Sequence, residues 1–281
     1  MEIVNKYNIN YLSKINKHIL DEYISFEEEN HIYTVNNNNK DYISVTTFIH
    51  SLFPGFNENK IVNNILKSKK YNNPDYKYYN KTKDEILNMW EENRACAANL
   101  GTQMHYFIEC YYDCLYNPNL NFEELFTNNQ KIFTLKNNIE YKYFINFVND
   151  NFNLIPYRTE WCIYDTQLKL AGSIDMVFTD ENNKFYIYDW KRSKEIKKTN
   201  NNNETSTLPI LDYIPNSNYW HYTLQLNIYK KLLEKNYNFV IDSLCLIVIH
   251  PENKNYMKIN VPIMNDLINE LFTHRYNNIN N

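Results

Sequence analysis

Two aspartates and a lysine stand on neighbouring β-prone runs, Asp175 in Leu170-Ala-Gly-Ser-Ile-Asp-Met-Val-Phe178, and Asp189 with Lys191 in Tyr186-Ile-Tyr-Asp-Trp-Lys191. The period of two along a strand puts Leu170, Ile174, Met176 and Phe178 on one face of the first run and Ala171, Ser173, Asp175 and Val177 on the other, so Asp175 is predicted to point away from the more apolar face. The same parity puts Asp189, Lys191 and Ile187 together. Two carboxylates and an amine then converge across adjacent strands. Carboxylates that hold Mg²⁺ can neutralise an anionic phosphate and stabilise a leaving oxygen, while the lysine orients a water and helps to deprotonate it. Partial burial and a nearby metal are expected to lower the lysine pKa from about 10.4. The set suits phosphodiester hydrolysis without a covalent intermediate.

These residues need a sheet to carry them. Thr159 to Tyr164, Lys169 to Phe178 and Lys184 to Trp190 are predicted as three adjacent strands. Upstream, His31-Ile-Tyr-Thr-Val and Asp41-Tyr-Ile-Ser-Val flank an Asn-rich turn and read as a hairpin, followed by a helix from Thr46 or Thr47. Thr82-Lys-Asp-Glu85 has capping-box spacing and predicts a helix through Met89 and Trp90 toward Asn99. A further helix is expected to start at Gly101-Thr102 and to carry His105, Ile108, Glu109 and Tyr112. Residues 132 to 150 look helical, and the polar residues 199 to 218 read as a mobile loop. A helix from Tyr219 to Leu233, a buried strand from Ile241 to Ile249 and a helix from Met264 to Tyr276 complete the order. This order predicts an α/β fold, a central mixed sheet flanked by helices, with an N-terminal, mainly helical elaboration.

The 281 residues suit one elaborated domain, with residues 1–100 as elaboration, 101–250 as core and 251–281 as a closing strand and helix. No apolar run is long enough to span a bilayer and no secretory signal is evident, so a soluble intracellular protein is expected. The five scattered cysteines suit a reducing compartment, with Cys110 and Cys114 as core residues. The wealth of Asn, Lys, Ile, Tyr and Phe matches AT-rich codons, which singles out the three glycines, Gly55, Gly101 and Gly172, as places where a side chain does not fit. A net charge of −4 argues against a surface that grips nucleic acid everywhere, yet Lys191 to Lys198 holds five cations and one Glu. Within it, Arg192, Lys194 and Lys197, with Ser173, are the candidate DNA contacts.

Gly172-Ser-Ile-Asp175 followed by Tyr188-Asp-Trp-Lys191 resembles the second and third motifs of the PD-(D/E)XK nuclease superfamily. Three further stretches resemble its RecB-like branch, which includes lambda-type and mitochondrial genome maintenance exonucleases. These are Gly101-Thr-Gln-Met-His105, Gln225-Leu-Asn-Ile-Tyr229, and Ser-Val-Thr within Tyr42-Ile-Ser-Val-Thr-Thr-Phe-Ile. Together they run from Ser44 to Tyr229 in the order of that branch.

The resemblance implies a restriction-endonuclease-like core and a metal-dependent DNA nuclease, an exonuclease by preference. It assigns Asp175, Asp189 and His105 to the metal, Lys191 to the nucleophilic water, and Gln225 and Tyr229 to bracing the lysine or touching DNA. Glu109, one helical turn after His105, and Glu160 are candidates to support the metal ligands from behind. Mg²⁺ is the expected cofactor, with Mn²⁺ able to substitute. Branch members with an iron-sulfur cluster carry several cysteines after the Gln-x-x-x-Tyr helix; only Cys245 lies there, so no cluster is expected. The alternatives are a structure-selective endonuclease or nickase, and an inactive nucleic-acid-binding module on the same fold. DNA, single- or double-stranded, is the expected partner, with a helicase or another recombination, replication or repair protein as a second.

Overall fold

The computed structural model describes residues 10–118, 138–200 and 203–280. The chain divides into two compact units, Met1–Pro54 with Met104–Asn281, and Gly55–Gln103. Its class is α/β, a mixed sheet flanked by helices. Among the described residues no helix is long and apolar enough to cross a membrane.

The sheet is built around β5 (Leu170–Thr179). Strand β4 (Ile155–Asp165) pairs antiparallel with it along its whole length. On its other edge β5 is shared: the short β3 (Ile43–Ser44) runs parallel to its start, and β6 (Phe185–Arg192) runs antiparallel to its end, from Met176↔Tyr188 to Thr179↔Phe185. Between those two ladders, residues 172–175 have no paired strand on that edge among the described residues. Strand β7 (Ile241–Ile249) then pairs parallel with β6, and β8 (Met257–Val261) antiparallel with β7.

Helices cover both faces, which is why β7 is apolar at almost every position. On one face, Ile187, Leu244 and Leu246 pack with Val45 and Phe48 of α2 (Val45–Ser51), Leu224 and Ile228 of α6 (Asn218–Asn236), and Ile268 and Leu271 of α7 (Asn265–Asn280). On the other, Tyr188, Trp190, Cys245 and Ile247 pack with Phe107 and Ile108 of α4 (Lys83–Tyr116) and Phe144 and Phe147 of α5 (Ile139–Asp150). Each large apolar side chain so buried contributes about 1.5–3 kcal/mol. Cys110 and Cys114 lie in this second cluster, as expected.

Several expectations are corrected. The even residues of β5 do not share one face: Leu170 and Ile174 join the α6 side, whereas Met176 and Phe178 join the α4 side, and Val177 crosses the other way. The reversal falls at Asp175, opposite Glu160, where the ladder skips a pair and Glu160 takes a φ of 43°. β2 (Ile32–Val35) pairs with β1 (Ile24–Glu27), not with β3: the turn Glu28–His31, closed by His31 N–H to the Glu28 carbonyl with His31 at φ 53°, folds the chain back onto β1, and Asn36 and Asn37 at φ 51° and 62° end β2 in a tight turn. The predicted break at Gly101 is absent, since no proline interrupts the helix and a mid-helix glycine costs only about 1 kcal/mol. Residues 203–217 are pinned rather than loose: Leu211 and Ile214 are buried, and Ser206 Oγ donates to the Leu52 carbonyl at 2.5 Å. Residues 132–137 of the predicted helix, and 201 and 202 of the predicted loop, lie outside the described residues.

The capping box is present as read, with Thr82 N–H donating to Glu85 Oε2 at 2.6 Å and Glu85 N–H to Thr82 Oγ1 at 3.3 Å. Of the glycines, only Gly172 meets a close neighbour: a Cβ there would lie 2.6 Å from Tyr229 Cε1. At Gly55 and Gly101 nothing lies within 4 Å, so the expectation that all three exclude a side chain fails for these two.

Candidate active site

The backbone of Trp190 organises the site. Its N–H donates to Asp175 Oδ2 at 2.8 Å, and its carbonyl accepts from His105 Nε2 at 2.9 Å. The ladder between β5 and β6 ends one pair before Asp175 and Asp189, so a side-chain carboxylate takes the N–H that a strand carbonyl would otherwise have taken. The Trp190 ring anchors this arrangement, 1% exposed and packed edge-on against Phe147 at 5.0 Å. Its neighbours Asp189 and Lys191 leave the strand on the opposite face, as strand alternation requires.

With Nε2 committed to a carbonyl, His105 turns Nδ1 to the site, where a metal that displaced its proton would find a lone pair. Nδ1 lies 3.4 Å from Glu160 Oε1 and 3.6 Å from Asp175 Oδ2. One ligand atom each from His105, Glu160 and Asp175 falls within a mutual 4.8 Å. The second Glu160 oxygen accepts from Ser173 Oγ at 3.2 Å, which fixes the carboxylate. A donor set of two carboxylates and one imidazole fits a hard divalent cation such as Mg²⁺ or Mn²⁺.

The expected metal ligands were His105, Asp175 and Asp189. The structure brings Glu160 to the first two, while Asp189 turns to Lys191, whose Nζ stands 2.7 Å from Asp189 Oδ2. The Asp189 side chain is 2% exposed and has no hydrogen-bond donor besides that ion pair among the described residues.

Burial and mutual repulsion shape the titration of these groups. Burial pushes Asp189 up to about 6, with Asp175 adding to it and Lys191 opposing. Burial also raises Asp175, against the pull of His105 and Lys191. For His105 burial works downward, but the Asp175 and Glu160 carboxylates outweigh it and hold the imidazole at about 9. Lys191 shows the reverse of the expected lowering: burial lowers it, yet Asp189 and Asp175 together hold it above its ordinary value. Glu109 is driven up to about 8 by burial, then by Glu160 and Asp113.

Helix α6 closes the lysine side. Gln225 Nε2 donates to Tyr229 Oη at 3.1 Å, and the Tyr229 ring fills the space that Gly172 leaves free. Tyr222 contributes what the sequence reading missed, a ring whose centroid is 4.7 Å from Lys191 Nζ. The signal was present in the spacing, because Tyr222, Gln225 and Tyr229 stand at i, i+3 and i+7 on one helix face. Tyr33 of β2 was also missed; its hydroxyl is held well above the usual range by burial, with Cys162, Glu160 and Asp175 adding to the shift.

The proposed DNA contacts fare unevenly. Ser173 is engaged with Glu160. Arg192 is 13% exposed and paired with Glu140 at 2.7 Å, so it joins β6 to α5 instead of presenting a free cation. Lys194 and Lys197 are exposed but paired with Glu252 and Glu195.

No family model matches the chain, and no curated protein matches it. Among solved structures, one described as "Crystal structure of SSO0001" is similar over 99% of this chain and 87% of that one, at 14% identity and a TM-score of 0.34. A likeness that faint carries no argument about this chain.

Proposed function

We propose that this chain is a metal-dependent deoxyribonuclease of the PD-(D/E)XK superfamily, similar to its RecB-like branch and acting as an exonuclease. The observation that carries the reading is the convergence of His105, Glu160 and Asp175 within 4.8 Å, beside the buried Lys191–Asp189 pair on the adjacent strand. His105, Glu160 and Asp175 would hold Mg²⁺ or Mn²⁺. When bound, such an ion supplies Lewis-acid stabilisation of phosphate charge and a water of lowered pKa.

The chain's own groups account for the remaining tasks. Lys191 Nζ, held by Asp189 and faced by Tyr222, offers N–H donors to an attacking water or to a non-bridging phosphate oxygen. The Trp190 peptide fixes the His105 tautomer and the Asp175 rotamer before substrate arrives, so little reorganisation is needed during the reaction. Gln225 and Tyr229 hold β5 and α6 at the spacing that keeps Tyr222 over the lysine.

The test is digestion of end-labelled single-stranded, double-stranded and closed circular DNA with Mg²⁺ or Mn²⁺, comparing wild type with Asp189→Ala and Lys191→Ala. Metal-dependent cleavage of linear DNA that is lost in both variants, with circles spared, is the expected result. Cleavage that survives both substitutions sinks the assignment of the site. A well-folded wild type that cleaves nothing sinks the enzyme itself in favour of a binding module.

A further inference from the structure

The unit Gly55–Gln103 carries a charge pattern unlike the rest of the chain. From Lys60 to Lys83 there are seven lysines and one acid, Asp75, in a chain whose totals are 29 Lys+Arg and 33 Asp+Glu. Other stretches are as poor in acids, Thr205–Leu233 holding only Asp212, but that stretch gathers two lysines where this one gathers seven. Elsewhere the basic run after the site is neutralised by Glu140, Glu252 and Glu195. Here, among the described residues, none of Lys60, Lys67, Lys69, Lys70, Lys77, Lys81 and Lys83 forms an ion pair.

The stretch is nonetheless ordered. After α3 (Glu58–Lys67) the backbone follows a succession of tight turns, closed by Tyr71 N–H to Ser68, Asn73 to Lys70, Tyr76 to Asn73, Tyr79 to Tyr76 and Lys81 to Tyr78 carbonyls. Two side-chain bonds tie the turns together. Tyr71 Oη donates to the Lys81 carbonyl at 2.9 Å, which joins the Lys69–Lys70 turn to the Lys81–Lys83 segment. Trp90 Nε1 donates to Tyr78 Oη at 2.7 Å, which fixes the turn that carries Lys77. Lys67, Lys69, Lys70 and Lys77 are exposed, and Tyr79 is 38% exposed among them. Holding four exposed lysines between positions 67 and 77 of one ordered segment without ion-pair partners costs self-repulsion that an external polyanion relieves.

We propose that these lysines bind the phosphate backbone of single-stranded nucleic acid, with the exposed Tyr79 ring between them available for base stacking. Interleaved lysine and tyrosine favours a single strand, because unstacked bases expose faces that rings can meet. The proposal rests on the nuclease reading only for the choice of DNA as the probe; its residues are separate from those of the site.

The experiment measures anisotropy of a labelled oligo-dT with the full chain in EDTA, which silences any metal-dependent cleavage. Wild type is compared with the quadruple variant Lys67→Gln, Lys69→Gln, Lys70→Gln, Lys77→Gln, and with a control carrying Lys40→Gln and Lys254→Gln. The quadruple variant is expected to raise Kd about tenfold or more and to flatten the plot of log K against log salt by about three, at roughly 0.7 for each phosphate no longer neutralised. The control should stay near wild type. Lysine-acetylation footprinting on the wild type gives a second readout that needs no variant, with protection by oligo-dT expected at the same four positions. Unchanged affinity and slope with no protection overturn the proposal, as does binding to phosphatidylserine vesicles but not to oligo-dT. A chain that cleaves no DNA yet binds it through these lysines sinks the nuclease reading and leaves this one standing.

Discussion

At the scale of single residues, Glu160 is the clearest departure from the pattern of two aspartates and a lysine. It offers an oxygen to the same small volume as His105 and Asp175, so Glu160→Ala should weaken Mn²⁺ binding about as much as Asp175→Ala, by tenfold or more on the scale seen for metal-site partners. Isothermal titration with Mn²⁺ measures this, and an unchanged affinity would return Glu160 to a supporting role. The titration shifts make a second prediction. His105 sits at about 9 in the folded chain against 6.5 unfolded, so its stabilising contribution is complete below pH 6.5 and disappears as pH rises through about 9. Half-buried Glu109, raised from 4.5 to about 8, adds to the fall up to about pH 8, whereas the part due to Asp189, raised from 3.8 to about 6, is already lost by pH 6. The melting temperature in EDTA should therefore fall steadily between pH 6.5 and 9. A rise over that window would contradict the charge arrangement around His105.

Two glycines make opposite predictions at the scale of elements. At Gly172 a methyl group would strike the Tyr229 ring, so Gly172→Ala must push α6 away from β5. A loss of about 1–3 kcal/mol in urea unfolding is expected, the usual cost of overpacking, together with reduced turnover as Tyr222 leaves Lys191. Gly101 lies within α4 with nothing near its missing side chain, so Gly101→Ala should stabilise by about 1 kcal/mol through helix propensity. A destabilised Gly101→Ala protein would mean that the helix bends there. The element that reads least like itself in the sequence is the segment after Lys198: polar on average, it is anchored by a few apolar residues such as Leu211 and Ile214, both fully buried.

For the whole molecule, the two units differ in what holds them. The sheet unit buries apolar residues on both faces, whereas the cluster within Gly55–Gln103 has only Val62, Tyr78 and Ile86 as its buried members. Hydrogen exchange followed by mass spectrometry should therefore show peptides from residues 58–82 exchanging faster than those from β5, β6 and β7. Equal protection would mean that the smaller unit opens only with the larger one. The overall charge of −4 conceals this division, because the lysine-rich stretch is outweighed by acids elsewhere.

Local chemistry was legible in the sequence because its rules are local. The Thr82–Glu85 capping box, the strands read at 159–164, 169–178, 184–190 and 241–249, the first of which extends back to Ile155, and the helix bearing Gln225 and Tyr229 all follow from spacings within one element. Only the tertiary structure decided which charges meet. Glu160 reaches His105 because β4 adopts a left-handed backbone opposite Asp175, a conformation that no side-chain periodicity signals. Arg192 finds Glu140 across 52 positions of sequence, and β2 finds β1 instead of β3 through the turn Glu28–His31. Ion pairs, metal ligands and strand partners depend on distances set by the packing of the whole chain, and periodicity carries no information about those.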